Sequence, residues 1–194
     1  EGASHCAKNV ETFYFNPYRE CTYVLHDANW KINDQTAAII IDAGMYNSRE
    51  EERIVEYLQT NNLKPLLLLI THAHPDHICG VDFIQNHYSI QAIIAPTEGI
   101  LPLPEQIDTR IDVWSTPGHK EDCVCYYFPQ EQCIFTGDTL FQGSIGRTDL
   151  PGGDMAMLSR SLMRLATLPD NTKVYPGHGC ATTIGEEKEY NPYM

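Results

Sequence analysis

Basic residues are scarce in this chain: 13 lysines and arginines stand against 26 aspartates and glutamates, for a formal net charge of −13. That balance argues against nucleic acid and anionic membrane surfaces as partners, because both are held by clustered cations. It leaves room for a small anionic substrate at a locally positive site. The apolar runs fall far short of the roughly 20 residues that a membrane-crossing helix needs. No secretion-signal pattern opens the sequence, and the polar residues 1–10 are expected to form a loose N-terminal segment. Gly/Ser-rich tracts, blocks of like charge and internal repeats are missing too. Nothing therefore marks a linker, and residues 1–194 are expected to form one domain. Cysteine has no zinc-ribbon spacing. The seven cysteines, at positions 6, 21, 79, 123, 125, 133 and 180, are an odd set that points to the reducing cytosol and a cytoplasmic protein. Cys123 and Cys125 alternate with Val124 as packing residues would. Cys79 and Cys180 lie beside the histidine motifs described next, where burial is a better account of them than metal ligation.

What the chain does have is a concentration of metal-ligand side chains. His72-Ala73-His74-Pro75-Asp76-His77 places four of them in six positions, directly behind the apolar run Leu66-Leu67-Leu68-Leu69-Ile70. Side chains two apart on an extended chain point the same way, so His72 and His74 can grip one ion together. Pro75 stops the strand, which leaves Asp76 and His77 in a turn that can reach a second ion. Three further candidates each follow a glycine behind a strand-like segment: Pro117-Gly118-His119, Gly137-Asp138 and Pro176-Gly177-His178. Five histidines and two aspartates suffice for two divalent cations, with one aspartate shared. Zinc is the first expectation, with iron or manganese possible, because imidazole and carboxylate suit these ions.

Other stretches are distinctive as well. They are Ile40-Ile41-Asp42-Ala43-Gly44, Asn16-Pro17-Tyr18 with Thr22-Tyr23-Val24-Leu25, the run from Gly143 through Gly146-Arg147-Thr148-Asp149 to Asp154, and Thr182-Thr183-Ile184-Gly185-Glu186-Glu187 with Asn191-Pro192. Together with the ligand motifs, in this order, they resemble the metallo-β-lactamase fold hydrolases. Within these they resemble the short, single-domain glyoxalase II-like (hydroxyacylglutathione hydrolase-like) thioesterases. The resemblance implies that His72, His74 and His119 bind one metal, that Asp76, His77 and His178 bind the other, and that Asp138 bridges them. It also gives Asp42 a supporting place behind a ligand histidine, with bracing of a turn as the alternative. The chain departs from the family pattern at Lys120-Glu121-Asp122, where Thr-Pro-Gly is common, and at Cys21 and Cys79, where Asn and Gly are common. None of these departures removes a ligand.

Strands are expected over Thr22–His26, Ala37–Asp42, Leu66–Thr71, Gln91–Ala95, Ile111–Ser115, Val124–Phe128, Cys133–Thr136 and Lys173–Tyr175. Ser48 with Glu51 reads as a capping box for a helix carrying Ile54, Val55 and Leu58. Asp154 reads as the cap of a helix whose Leu158, Leu162, Leu165 and Ala166 share a face, and a shorter helix is expected over Val81–His87. Periodicity alone gives a mixed α/β domain. The resemblance implies an αββα sandwich, two mixed β-sheets flanked by helices.

The chemistry follows from the ligand set. Two nearby cations lower the pKa of a water held between them, which supplies hydroxide near neutral pH. Asp76 serves as ligand and as hydrogen-bond acceptor for that metal-bound hydroxide. A thiolate, with a thiol pKa of about 8.5, leaves without a general acid. A small acyl thioester is therefore the expected substrate. Arg147 can pair with a substrate carboxylate through its planar fork, or with its neighbour Asp149 at the surface. Tyr126, Tyr127 and Tyr175 suit either a pocket or the core, and His5, His26 and His87 match no ligand motif. Two other functions compete: a persulfide dioxygenase with one iron on the same fold, and a non-catalytic metal-binding module.

Overall fold

The computed structural model describes residues 8–194; His5, Cys6 and the first part of the expected loose segment lie outside these. The chain folds as two compact units. One comprises the residues up to Ile94 together with Pro102–Thr109, and the other comprises Ala95–Leu101 with Arg110–Met194.

In the first unit, β1 (Lys8–Phe15), β2 (Glu20–Ile32), β3 (Gln35–Ile41), β4 (Leu63–Ile70) and β5 (Ala92–Ile94) form a sheet in sequential order. The first three pair antiparallel, while β3, β4 and β5 run parallel. β1 was not expected, and its first residues, Lys8–Val10, come from the segment read as loose. Its one buried face, Phe13 and Phe15 against exposed Tyr14, is the alternation of a half-buried strand. Pro65 cannot donate to the ladder, and the β3–β4 register shifts beside its partner Ala38. Three helices complete the unit: α1 (Ser48–Thr60), α2 (Pro75–Ile78) and α3 (Val81–Tyr88). The cap of α1 is Asn47, one residue before the expected Ser48, and its side chain accepts from Glu50 N. Ile54 and Leu58 of α1 join Val24, Ile40, Leu68, Ile70 and Ile84 in this unit's core.

The second unit holds β6 (Gly99–Ile100), β7 (Asp112–Ser115), β8 (Val124–Phe128), β9 (Cys133–Gly137), β10 (Leu140–Phe141), β11 (Ser144–Ile145), α4 (Met155–Leu165), β12 (Lys173–Pro176), β13 (Thr182–Thr183) and α5 (Ile184–Tyr190). Six of the strands make one sheet in the order β13-β12-β9-β8-β7-β6, and β10 pairs with β11. Asp154 caps α4 as its sequence predicts, accepting from Met157 N at 3.0 Å. Leu158, Leu162 and Leu165 then pack with Ile134, Val174 and Ile184. The short α5, with Thr183 as its cap, was not expected.

Strand direction is what matters for the ligand motifs. β7 and β9 are both antiparallel to β8, and β12 is parallel to β9. All three therefore end at the same edge of the sheet, and each delivers its motif there: His119, Asp138 and His178. In the first unit, parallel β3 and β4 likewise bring Asp42 and the His72–His77 segment to one edge.

Candidate metal centre

In the first unit the strand ends at Ile70, earlier than expected, and Pro75 starts α2 rather than ending β4. Its missing N–H costs nothing in the first helical turn. His72 and His74 nevertheless converge, with ring centroids 4.9 Å apart, and His77 comes within 4.3 Å of His72 by the same measure. His72 and His77 are fully buried, whereas His74 and Asp76 are half-buried. Asp76 Oδ2 lies 3.4 Å from His77 Nε2.

Asp42 organises this group. His77 Nδ1 donates to its Oδ2 at 2.8 Å, Thr71 N donates to its Oδ1 at 2.8 Å, and the Thr71 hydroxyl donates to Oδ2 at 2.9 Å. With its proton committed to Asp42, the Thr71 hydroxyl accepts from His72 Nδ1 at 3.0 Å. Both histidines thus carry a proton on Nδ1 and keep Nε2 as the basic atom, the arrangement in which an outer carboxylate orients a metal ligand. Asp42 adopts φ +61°, a left-handed conformation uncommon for residues other than glycine, asparagine and aspartate. Behind it stands Glu20, fully buried, which accepts from the Thr22 hydroxyl and lies 3.9 Å from His77 Nδ1. Burial pushes the Glu20 carboxyl well above its usual range, offset in part by the nearby His77. Sequence reasoning missed Glu20 and Thr71. Each lies next to a motif it did single out.

In the second unit Asp138 divides its oxygens: Oδ2 is 3.4 Å from His119 Nε2, and Oδ1 is 3.6 Å from His178 Nε2. The Thr116 and Thr139 hydroxyls, 3.1 Å apart, tie the loop after β7 to the loop after β9. His119 Nδ1 donates to the carbonyl oxygen of Arg147 at 2.7 Å, so this ring too offers Nε2. The Arg147 side chain turns elsewhere and makes a two-pronged pair with Asp149 at 2.7 and 2.8 Å, both groups well exposed. That pair holds the Asp149 carboxyl down at about 2. Gly146 is obligatory in this loop, because a Cβ there would run into the carbonyl oxygen of Asp138 and lie 3.1 Å from His119 Nδ1. The loop is clamped from the C-terminal segment. Buried Glu187 accepts from Gly143 N at 2.7 Å and from the Thr182 hydroxyl at 2.7 Å, while Asn191 Nδ2 donates to Ser144 O at 3.0 Å. The Thr182–Asn191 motif thereby acquires a physical role.

The donors are imidazole nitrogens and carboxylate oxygens, and within each unit their ligand atoms lie within 4.8 Å of a partner: His72 with His74, Asp76 with His77, and Asp138 with both His119 and His178. Such a set fits zinc, iron or manganese. The six described cysteines are thiols, four of them buried; Cys79 and Cys180 are exposed, so the expected burial fails for these two. His26 is taken up by a hydrogen bond to Tyr57, and His87 stacks on Phe83. Tyr126 is a core residue, while Tyr127 and Tyr175 are half-buried. Among the described residues no helix is long and apolar enough to cross a membrane.

Comparison with known proteins agrees with this chemistry. Residues 30–114 and 112–178 match the family profile described as the metallo-beta-lactamase superfamily. A hydroxyacylglutathione hydrolase of Chromohalobacter salexigens is 34% identical over 151 residues, which cover 72% of this chain and 56% of that protein. The crystal structure of BLEG-1, a B3 metallo-beta-lactamase, is 31% identical and superposes with a TM-score of 0.85, covering 95% of this chain and 99% of that one. The crystal structure of TTHA1623 in a di-iron-bound form is also 31% identical, with a TM-score of 0.78 over 95% of this chain and 100% of that one.

Proposed function

The chain belongs to the metallo-beta-lactamase superfamily, with that family's α/β fold, and from this premise we propose that it is a metal-dependent hydrolase of small acyl thioesters. His72, His74 and His119 hold one divalent ion, Asp76, His77 and His178 hold a second, and Asp138 is shared. Zinc is the resident metal in this reading, and the protein works in the cytoplasm. The observation that carries the two-metal reading is the division of the Asp138 carboxylate between His119 and His178. The di-iron form of TTHA1623 supports a count of two and keeps iron as an alternative metal.

When bound, the ions supply an activated water and a positive field for the developing oxyanion. The chain's own residues do the rest. Asp42, Thr71 and the Arg147 carbonyl fix the tautomers of His77, His72 and His119, so three ligands present Nε2 without rearrangement. Asp76, half-buried beside His77, orients the attacking water by accepting its hydrogen bond. The leaving thiolate needs no proton from the enzyme, since a thiol ionises at about 8.5. Arg147 receives a substrate carboxylate. Its pair with Asp149 is exposed, and surface pairs of this kind are held weakly enough to exchange.

Similarity to a hydroxyacylglutathione hydrolase supports thioesters. The likeness to BLEG-1 favours a second reading, β-lactam hydrolysis, in which an amine rather than a thiolate must leave. The test runs free-thiol release from acyl thioesters, β-lactam opening and oxygen consumption with a persulfide on the same protein loaded with zinc or with ferrous iron. Thiol release by the metal-loaded protein is expected. Oxygen uptake by the iron form without thiol release would replace the hydrolase with a dioxygenase, and silence in all three assays would favour a non-catalytic module.

A further inference from the structure

The Asn16-Pro17-Tyr18 motif lies outside the ligand set, yet its first residue reaches the ligand-bearing turn. α2 spans four residues and closes one turn of its own, Cys79 N donating to Pro75 O at 3.0 Å, whereas the carbonyls of Asp76 and His77 are taken from outside the helix. Ala43 N donates to His77 O at 2.9 Å. Asn16 Nδ2 donates to Asp76 O at 2.9 Å and to Gly44 O at 3.1 Å. Asn16 is itself pinned. Its N–H donates to the Glu50 carboxylate at 2.9 and 3.1 Å, its Oδ1 accepts from Tyr18 N at 3.0 Å, and its φ is +53°. Glu50 also accepts from Tyr46 N at 2.8 Å, which ties the turn after β1 to the start of α1. Gly44 N donates to the Thr22 hydroxyl at 3.0 Å, and a Cβ on Gly44 would collide with the Glu20 carboxylate. The backbone of Asp76 therefore rests on a polar frame made by buried Asn16, Gly44, Thr22 and Glu20 together with half-buried Glu50.

We infer that Asn16 is a positioning residue for the second metal ion: its amide sets Asp76 and leaves the first ion's ligands untouched. The asymmetry comes from where the amide binds. Its two acceptors are Asp76 O and Gly44 O, whereas His72 is oriented through Thr71 and Asp42. The inference rests on the two-metal reading above.

The test uses Asn16→Gly, which keeps the left-handed backbone and the N–H to Glu50 but removes the amide. Zinc binding to the metal-free protein is titrated against a chromophoric chelator, with Tm recorded before zinc is added. Wild-type protein is expected to bind two zinc ions. In Asn16→Gly one step should weaken about 10- to 100-fold while the other holds, the loss typical of a disturbed outer partner. In an Asp76→Ala background the same substitution should cause no further loss at that step. Equal weakening of both steps, no weakening, or a full additional loss in the Asp76→Ala background would overturn the inference while leaving the two-metal reading intact. A wild-type protein that binds fewer than two zinc ions overturns that reading and this inference with it. If Asn16→Gly does not fold, Glu50→Gln, which loosens the same turn, must weaken the same step selectively or the inference falls.

Discussion

Replacing Asp42 with asparagine isolates the carboxylate that serves two histidines. The substitution suits the backbone, since asparagine tolerates the left-handed φ of +61° that this position requires. Its chemistry does not suit the site. Oδ2 accepts from His77 Nδ1 and from the Thr71 hydroxyl, and Oδ1 accepts from Thr71 N. An amide placed either way turns an NH2 toward donors, so at least one buried N–H or O–H loses its acceptor. Such a loss costs about 1–3 kcal/mol. In a protein of this size each kcal/mol moves Tm by about 2–4 °C, so the metal-free Asp42→Asn protein should melt about 2–12 °C below wild type. His77 also loses the anion that raises its basicity, and His72 loses the fixed Thr71 hydroxyl, so zinc affinity should fall about 10- to 100-fold. Differential scanning calorimetry of the apo protein and chelator competition measure the two effects separately. A correctly folded Asp42→Asn protein with wild-type zinc affinity would falsify the account of Asp42 as the organiser of these ligands.

Four further outcomes follow from the second unit. Gly146→Ala should abolish folding or metal binding, because the new methyl meets the Asp138 carbonyl beside His119. Arg147→Ala should keep both metals, since His119 uses only the Arg147 backbone carbonyl; metal analysis decides this, and a KM that rises more for a carboxylate-bearing thioester than for a neutral one marks the side chain's own role. Asp138→Ala should lose more bound zinc than any single histidine variant, and retention of both ions would remove Asp138 as the shared ligand. Burial pushes the Cys125 thiol up to about 12, so above the ordinary thiol range of about 8.5 the unfolded chain ionises first and binds fewer protons. Stability should therefore fall as pH climbs from about 8.5 toward 12, and Cys125→Ala should flatten that decline in chemical denaturation series. An equal decline in the variant would assign the alkaline loss to other groups.

Most of the candidate site's inventory is legible in the sequence because each candidate ligand stands at the end of an apolar run, next to the residue that breaks it. Local rules suffice for that. Leu66–Ile70 must be a buried strand, Pro75 cannot extend it, and Gly137 and Gly177 mark the turns after β9 and β12. The helix over Asp154–Leu165 was equally readable, since cap and apolar face lie within one segment. β1 escaped notice because its one-sided alternation of Phe13 and Phe15 begins inside a polar stretch. α5 escaped because a seven-residue helix rich in glutamate has no apolar stripe to announce it.

The sequence alone singled out the candidate metal ligands, because imidazole and carboxylate side chains at strand ends have few other uses in such density. Only the tertiary structure decided how each of them is held. Asp42 is one residue in the chain from Ala43 but 29 from Thr71 and 35 from His77, and its three hydrogen bonds to them exist because β3 and β4 run parallel to a common edge. The carbonyl of Arg147 reaches His119 across 28 residues, and the amide of Asn16 reaches Asp76 across 60. Such partners leave no local pattern. A hydrogen bond to a backbone carbonyl constrains position rather than residue type, so the orientation of the ligands had to be read from the fold.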